Sequence, residues 1–157
     1  MLLYHGSNVV VEKPEIRVPN RNLDFGMGFY TTTNIEQAQS FSEIVFNRRG
    51  GKKVISIYEF DNESAMNTLG VKVFEKANNE WFDFVCDKRM GRYEGEEYDI
   101  IIGPVANDTV YLTFIGFLAG ATSREDAIKQ LKVRDLYNQV TFCTDDSLTY
   151  LKYMGVL

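Results

Sequence analysis

Histidine occurs once in these 157 residues, cysteine twice and proline three times. One histidine and two distant cysteines, Cys86 and Cys143, with no CxxC pair, exclude a zinc centre of ordinary ligand spacing. The cysteines read instead as free thiols of a reducing compartment. No stretch approaches the ~20 consecutive apolar residues of a membrane span, and Met1-Leu2-Leu3 meets Tyr4-His5-Gly6 before an apolar leader develops. The expected location is therefore the cytoplasm, with no membrane partner. Positive charge is also short: 17 Lys and Arg stand against 22 Asp and Glu, a net charge of -5. The whole-protein field does not attract a phosphate backbone, so a nucleic-acid partner needs a local basic patch. There is no linker, fixed-period repeat or low-complexity tract.

What is present is a folding composition, with 45% hydrophobic and 25% charged residues in a length suited to one domain, residues 1–157. Leu2 to His5 reads as a first strand and Arg17 to Phe25 as a loop. Thr33-Asn34-Ile35-Glu36 has the form of a capping box, opening a helix whose apolar stripe is Ile35, Ala38, Phe41, Ser42 and Val45 and whose end is Gly50-Gly51. Val54 to Phe60 and Val71 to Phe74 read as strands, and Asn78 or Asn79 caps a helix that closes near Gly91. Asp99 to Pro104 has the pattern of a strand buried on both faces. Helices follow at Asn107 to Leu118 and Ser123 to Leu131, then a strand at Gln139 to Cys143. Thr144 caps a last helix to about Tyr153. The fold class is α+β, several strands with helices packed on them.

Three segments carry chemistry. Tyr4-His5-Gly6-Ser7 resembles the first-strand motif of the diphtheria-toxin-like ADP-ribosyltransferases, the group that includes the poly(ADP-ribose) polymerases. Gly28-Phe29-Tyr30, within Gly26-Met27-Gly28-Phe29-Tyr30, is similar to their Gly-Lys-Gly-Ile-Tyr segment. Leu136-Tyr137-Asn138-Gln139-Val140 resembles their Leu-Tyr-Asn-Glu, with glutamine in place of glutamate. The order and span of the segments resemble a small bacterial family of that superfamily. Gly26-x-Gly28 lacks the third glycine of a dinucleotide fingerprint, so a Rossmann reading fails.

The resemblance implies a split mixed β-sheet core with flanking helices and a pocket for NAD, used as substrate without a metal. His5, Gly6, Ser7, Gly28, Tyr30 and Phe41 are then the NAD-binding residues, and His5, Tyr30 and Gln139 the catalytic set. His5 is expected to donate to the adenosine-ribose hydroxyl, and the Gly6 backbone to pair with the nicotinamide carboxamide. Tyr30 and Phe41, eleven residues apart, are expected to sandwich the ring, although Phe41 also fits plain core packing. Gln139 keeps a hydrogen bond to the nicotinamide ribose but loses the charge of a carboxylate, which makes chain-building polymerisation an unlikely activity. The implied reaction is mono-ADP-ribosylation, a glycosyltransferase reaction on an unknown protein or nucleic-acid acceptor. Such small domains resemble toxin or defence effectors, which implies a neutralising, antitoxin-like partner. Two other outcomes stay open: NAD hydrolysis, and a catalytically silent NAD-binding module. Asp24 is the outside candidate to replace the missing carboxylate.

Overall fold

The computed structural model describes residues 1–19, 22–105, 108–132 and 138–157. Among the described residues seven strands form one mixed sheet: β1 Leu2–Ser7, β2 Phe29–Thr32, β3 Val54–Phe60, β4 Val71–Val73, β5 Ile100–Pro104, β6 Asn138–Phe142 and β7 Leu151–Val156. Their order is β4-β5-β6-β2-β1-β3-β7, antiparallel except for the β4/β5 pair. Six helices accompany them among the described residues: α1 Ile35–Arg49, α2 Asn62–Thr68, α3 Asn79–Met90, α4 Asp108–Leu118, α5 Arg124–Lys132 and α6 Asp145–Leu148. The domain is α+β, as its composition and patterning imply. No helix among the described residues is long and apolar enough to cross a membrane.

Side chains alternate across the sheet, so each face has its own core. On one face Leu3, Phe29, Tyr58, Phe60, Ile100, Val140 and Phe142 pack together. On the other, Ile101 joins Trp81, Phe82 and Val85 of α3, Phe114 of α4 and Leu131 of α5. Helix α1 lies on this second face over β1, where nothing larger than glycine fits at position 6: a Cβ there would stand 2.0 Å from the Ala38 carbonyl oxygen and 2.8 Å from the Ser42 nitrogen.

Three sequence expectations are corrected here. The α1 cap is Asn34, which accepts from the Gln37 N–H, and not Thr33, although Glu36 does fall in the first turn. The helix expected to run to Tyr153 is only the four residues of α6, after which the chain turns into β7 and pairs with β3. Helix α2, capped by Asp61, was not expected at all. The segment Leu136-Tyr137 and the residue Asn107 lie outside the described residues.

Candidate functional site

The sheet has a weak joint. Strands β1 and β2 share one registered pair, Tyr4 opposite Thr32, whereas β1 and β3 pair along six residues. Hydrogen-bond parity shows what faces that joint. Met1 and Phe60 exchange both main-chain bonds across β1/β3, and Ile55 exchanges both with Leu157 on the β7 side. Antiparallel bonding alternates along a strand, and a residue's N–H and C=O leave on the same side. The main-chain groups of Leu3, His5 and Ser7 are therefore directed to β3, and those of Tyr4 and Gly6 toward β2. By the same rule the Thr33 N–H bond to Asn138 assigns Phe29 and Thr31 to β6, and Tyr30 to the β1 side. Gly6 and Tyr30 thus present facing polar edges at the point where β1/β2 pairing has ended.

His5 occupies part of the gap. Its Nδ1 lies 2.7 Å from the Tyr30 carbonyl oxygen, which can only accept, so Nδ1 carries the proton. The ring leans on Phe29, with centroids 4.5 Å apart. Burial holds the His5 pKa below the ordinary 6.5, against the raising effect of the Tyr30 bond. The neutral ring leaves Nε2 with a lone pair. This differs from the donor role expected for His5: with Nδ1 as donor and the ring neutral, Nε2 can only accept.

Tyr30 projects on the α1 face. Its hydroxyl donates to the Gly26 carbonyl at 2.7 Å and accepts from the Phe25 N–H at 3.1 Å, which closes the Asp24–Gly28 loop. Burial and the neighbouring Asp24 carboxylate push its pKa well above 10, so it stays protonated. Gln139 and Thr141 share this face, directly opposite Thr32 and Tyr30. Gln139 is 5% exposed and Thr141 fully buried, and neither the Gln139 Nε2 nor the Thr141 Oγ1 has a hydrogen-bond partner. Two orphaned polar atoms beside each other on one strand face are uncommon, because buried polar groups are nearly always paired.

Helix α1 packs over β1 on this same face. The Thr32 hydroxyl donates to Gln37 Oε1 at 2.6 Å, which fixes the Gln37 flank of the helix toward β2. Phe41 is one turn further along that flank, at i+4. It is 50% exposed, while Ala38 and Ser42 are the buried residues of the helix. The core-packing reading of Phe41 is therefore overturned, along with its place in the expected apolar stripe, since Ile35 too is exposed. The close approach to Gly6 rotates the Ala38/Ser42 face onto β1 and turns Phe41 outward.

The remaining expected residues divide. Gly28 is required by packing, since a Cβ there would meet Thr141 Cγ2 at 2.7 Å and the Phe142 carbonyl oxygen at 2.8 Å. Ser7 follows the parity of His5: its main-chain groups are directed to β3 and its side chain shares the face of His5 and Phe29, opposite that of Tyr30. Asp24 is a buried partner of Arg89, whose Nε lies 2.6 Å from Oδ1, and this pairing removes it as a loose carboxylate. The Cys143 thiol, with its pKa pushed up to about 12 by burial, is no nucleophile. Sequence reasoning missed Thr141, whose signal is simple in retrospect: it stands two residues after Gln139 in a strand and so shares its face. It also missed Gln37, bonded to Thr32 five residues earlier, and Arg89, whose contact with Asp24 spans 65 residues. Two surface clefts lie away from this site, one of 690 Å³ lined by Met1, Glu59, Asp61 and Glu63 among others, and one of 260 Å³ near Lys72 and Tyr98.

A family model described as protein of unknown function (DUF3990) matches residues 1–153. The chain belongs to the DUF3990 family. The match takes in β1, β2 and β6, and with them every residue of the joint described above, so the site lies within the DUF3990 unit. No curated protein and no solved structure matches the chain.

Proposed function

We propose that this DUF3990 chain is an NAD-dependent mono-ADP-ribosyltransferase acting on a macromolecule. The observation that carries the reading is the edge of Gly6. Its N–H and C=O are directed into the β1/β2 gap, a donor and an acceptor side by side, which is the complement of a primary carboxamide. Tyr30, on the α1 face, and Phe41, half-exposed on α1, would supply aromatic contacts to the ring, and His5 Nε2, on the other face of the sheet, offers a lone pair to a ribose hydroxyl. Gln139 would hydrogen-bond the nicotinamide ribose. The thin joint between β1 and β2 supports the split sheet that the sequence resemblance implies. In the reaction the bond between ribose and nicotinamide breaks, nicotinamide leaves, and an acceptor nucleophile bonds to the ribose carbon and loses its proton. The same reading carries a protein or nucleic-acid acceptor, a neutralising partner and action in the cytoplasm.

One observation favours a second reading, an NAD-binding module without turnover: residue 139 is an uncharged amide, and Asp24 is held by Arg89. A preorganised charged group of this kind is typically worth about 10²–10³ in rate. Incubation of the pure protein with NAD labelled in the adenylate, alone and with a lysate, separates these outcomes. Label on macromolecules with nicotinamide release is expected. Release without transfer makes the protein a hydrolase, and binding without release makes it a module. No binding at millimolar NAD by folded protein refutes the site.

A further inference from the structure

The charged groups described around the candidate ring site are held in pairs. Residue 139 is neutral and nine-tenths buried. Asp24 and Arg89, whose fields Tyr30 feels with opposite signs, are paired with each other. His5 gives its Nδ1 proton to the Tyr30 carbonyl, and burial disfavours a second proton on the ring. The Tyr30 hydroxyl is bonded on both sides to its own loop and stays protonated. On α1, the flank over the gap presents Gln37 and Phe41, both uncharged. On β6, Thr141 adds a second neutral group. Among the described residues, the charged groups next to Tyr30 and its loop are each in an ion pair: Asp24 with Arg89, and Lys88, whose side chain lies against Gly26, with Glu97.

We infer that this site does not select for the positive charge of an oxidised nicotinamide ring, and that it takes the reduced, uncharged dinucleotide as well as the oxidised one. The inference rests on the proposal that the gap is a nicotinamide-dinucleotide site, and it deepens that proposal by naming the ligand states the site accepts. The physical contrast is large. A carboxylate about 5 Å from the ring, even at an effective dielectric of about 20, would favour the cationic ring by more than tenfold. A primary amide interacts with it only as a dipole. The orphaned Gln139 Nε2 is a donor, and it is met as well by a ribose hydroxyl of either redox form.

The test is titration calorimetry of the wild-type protein with NAD and, separately, with NADH, in the same buffer near pH 8. The two ligands share everything but the state of the ring. The expected result is that NADH binds within about tenfold of NAD, or more tightly. NAD binding tighter by tenfold or more overturns the inference while leaving the site itself in place. Binding of neither nucleotide overturns the site and the inference together. Gln139→Glu tests the cause: the affinity ratio is expected to shift toward NAD by about tenfold or more. An unchanged ratio in a variant whose melting shows it folded overturns the assignment to residue 139. The wild-type ratio decides the main claim even if that variant fails to fold.

Discussion

Replacement of Thr141 by valine should make the protein more stable. Thr141 has no solvent exposure, and its Oγ1 has no partner. Its Cγ2 lies against Gly28, and its strand neighbours are Tyr30 on β2 and Ile101 on β5. Valine keeps the branched shape and the strand preference and replaces only the hydroxyl with a methyl. An unsatisfied buried hydroxyl costs about 1–3 kcal/mol, so Thr141→Val should gain roughly 1–2 kcal/mol. At this chain length each kcal/mol moves Tm by about 2–4 °C. Urea unfolding should show a higher midpoint at unchanged slope, the sign of altered stability without altered compactness. Thr31 provides an internal contrast. It is buried on the neighbouring strand, but its hydroxyl donates to the Val140 carbonyl at 2.7 Å. Thr31→Val breaks a made bond and should lose about 1–2 kcal/mol. If Thr141→Val instead loses 1 kcal/mol or more, as Thr31→Val does, the Thr141 hydroxyl is satisfied and the reasoning about orphaned groups at this site is wrong.

Gly6→Ala forces a Cβ against two main-chain atoms of α1, the Ala38 oxygen and the Ser42 nitrogen, which cannot yield without lifting the helix. It should cost about 3 kcal/mol or more in urea unfolding, and a loss under 1 kcal/mol would show that α1 is not seated as described. Because the folded-state pKa of His5 is lowered, its contribution to stability is complete above the unfolded value near 6.5 and is lost as pH falls from there through the folded pKa. Urea midpoints measured between about pH 8 and pH 5 should therefore fall more steeply in the wild type than in His5→Gln; parallel curves would refute the assignment.

Short-range signals placed most elements. Val54 to Phe60 reads as a strand and is one, and the Asn78 cap and Gly91 stop bound α3 as the side-chain and φ preferences of those residues require. Most of the failures share one cause, which is pairing between distant segments; the missed α2, capped locally by Asp61, is the exception. Leu151 to Val156 forms a strand because β3 offers it an edge, and the Thr144 cap beside it, read alone, suggested a longer helix. The one-residue error at Asn34 is of the same kind, since Thr32 and not Thr33 is engaged there, its hydroxyl bonded to Gln37 and to the Asn138 carbonyl. Helical spacing put Phe41 on the apolar stripe, but contact with Gly6 set the rotation of α1. At the site, the nearness of His5 to Tyr30 was expected from motif order alone, whereas the bond that sets the His5 tautomer needed the register of β1 against β2.

The parity of the sheet explains why these residues gather where they do. A continuous β1/β2 ladder would pair Gly6 with Tyr30 through both main-chain bonds and leave the histidine nothing to do. Ending the ladder after Tyr4 and Thr32 exposes two polar edges inside a sheet, which is costly unless something replaces the missing bonds. The His5 ring replaces one, at the Tyr30 carbonyl. The Gly6 edge remains directed into the gap, in the plane of the sheet, and the orphaned atoms of Gln139 and Thr141 lie beside it on the α1 face. Unsatisfied groups scattered through a fold are defects, but a cluster beside a break in strand pairing has the form of a site held for a polar ligand. Such a ligand must supply an acceptor and a donor to Gly6, an acceptor to Gln139 Nε2 and a flat body that fits between Tyr30 and Phe41. The polar demands follow from strand parity and burial, the stacking demand belongs to the proposed function, and a nicotinamide riboside would meet both with its carboxamide, its ribose hydroxyls and its ring.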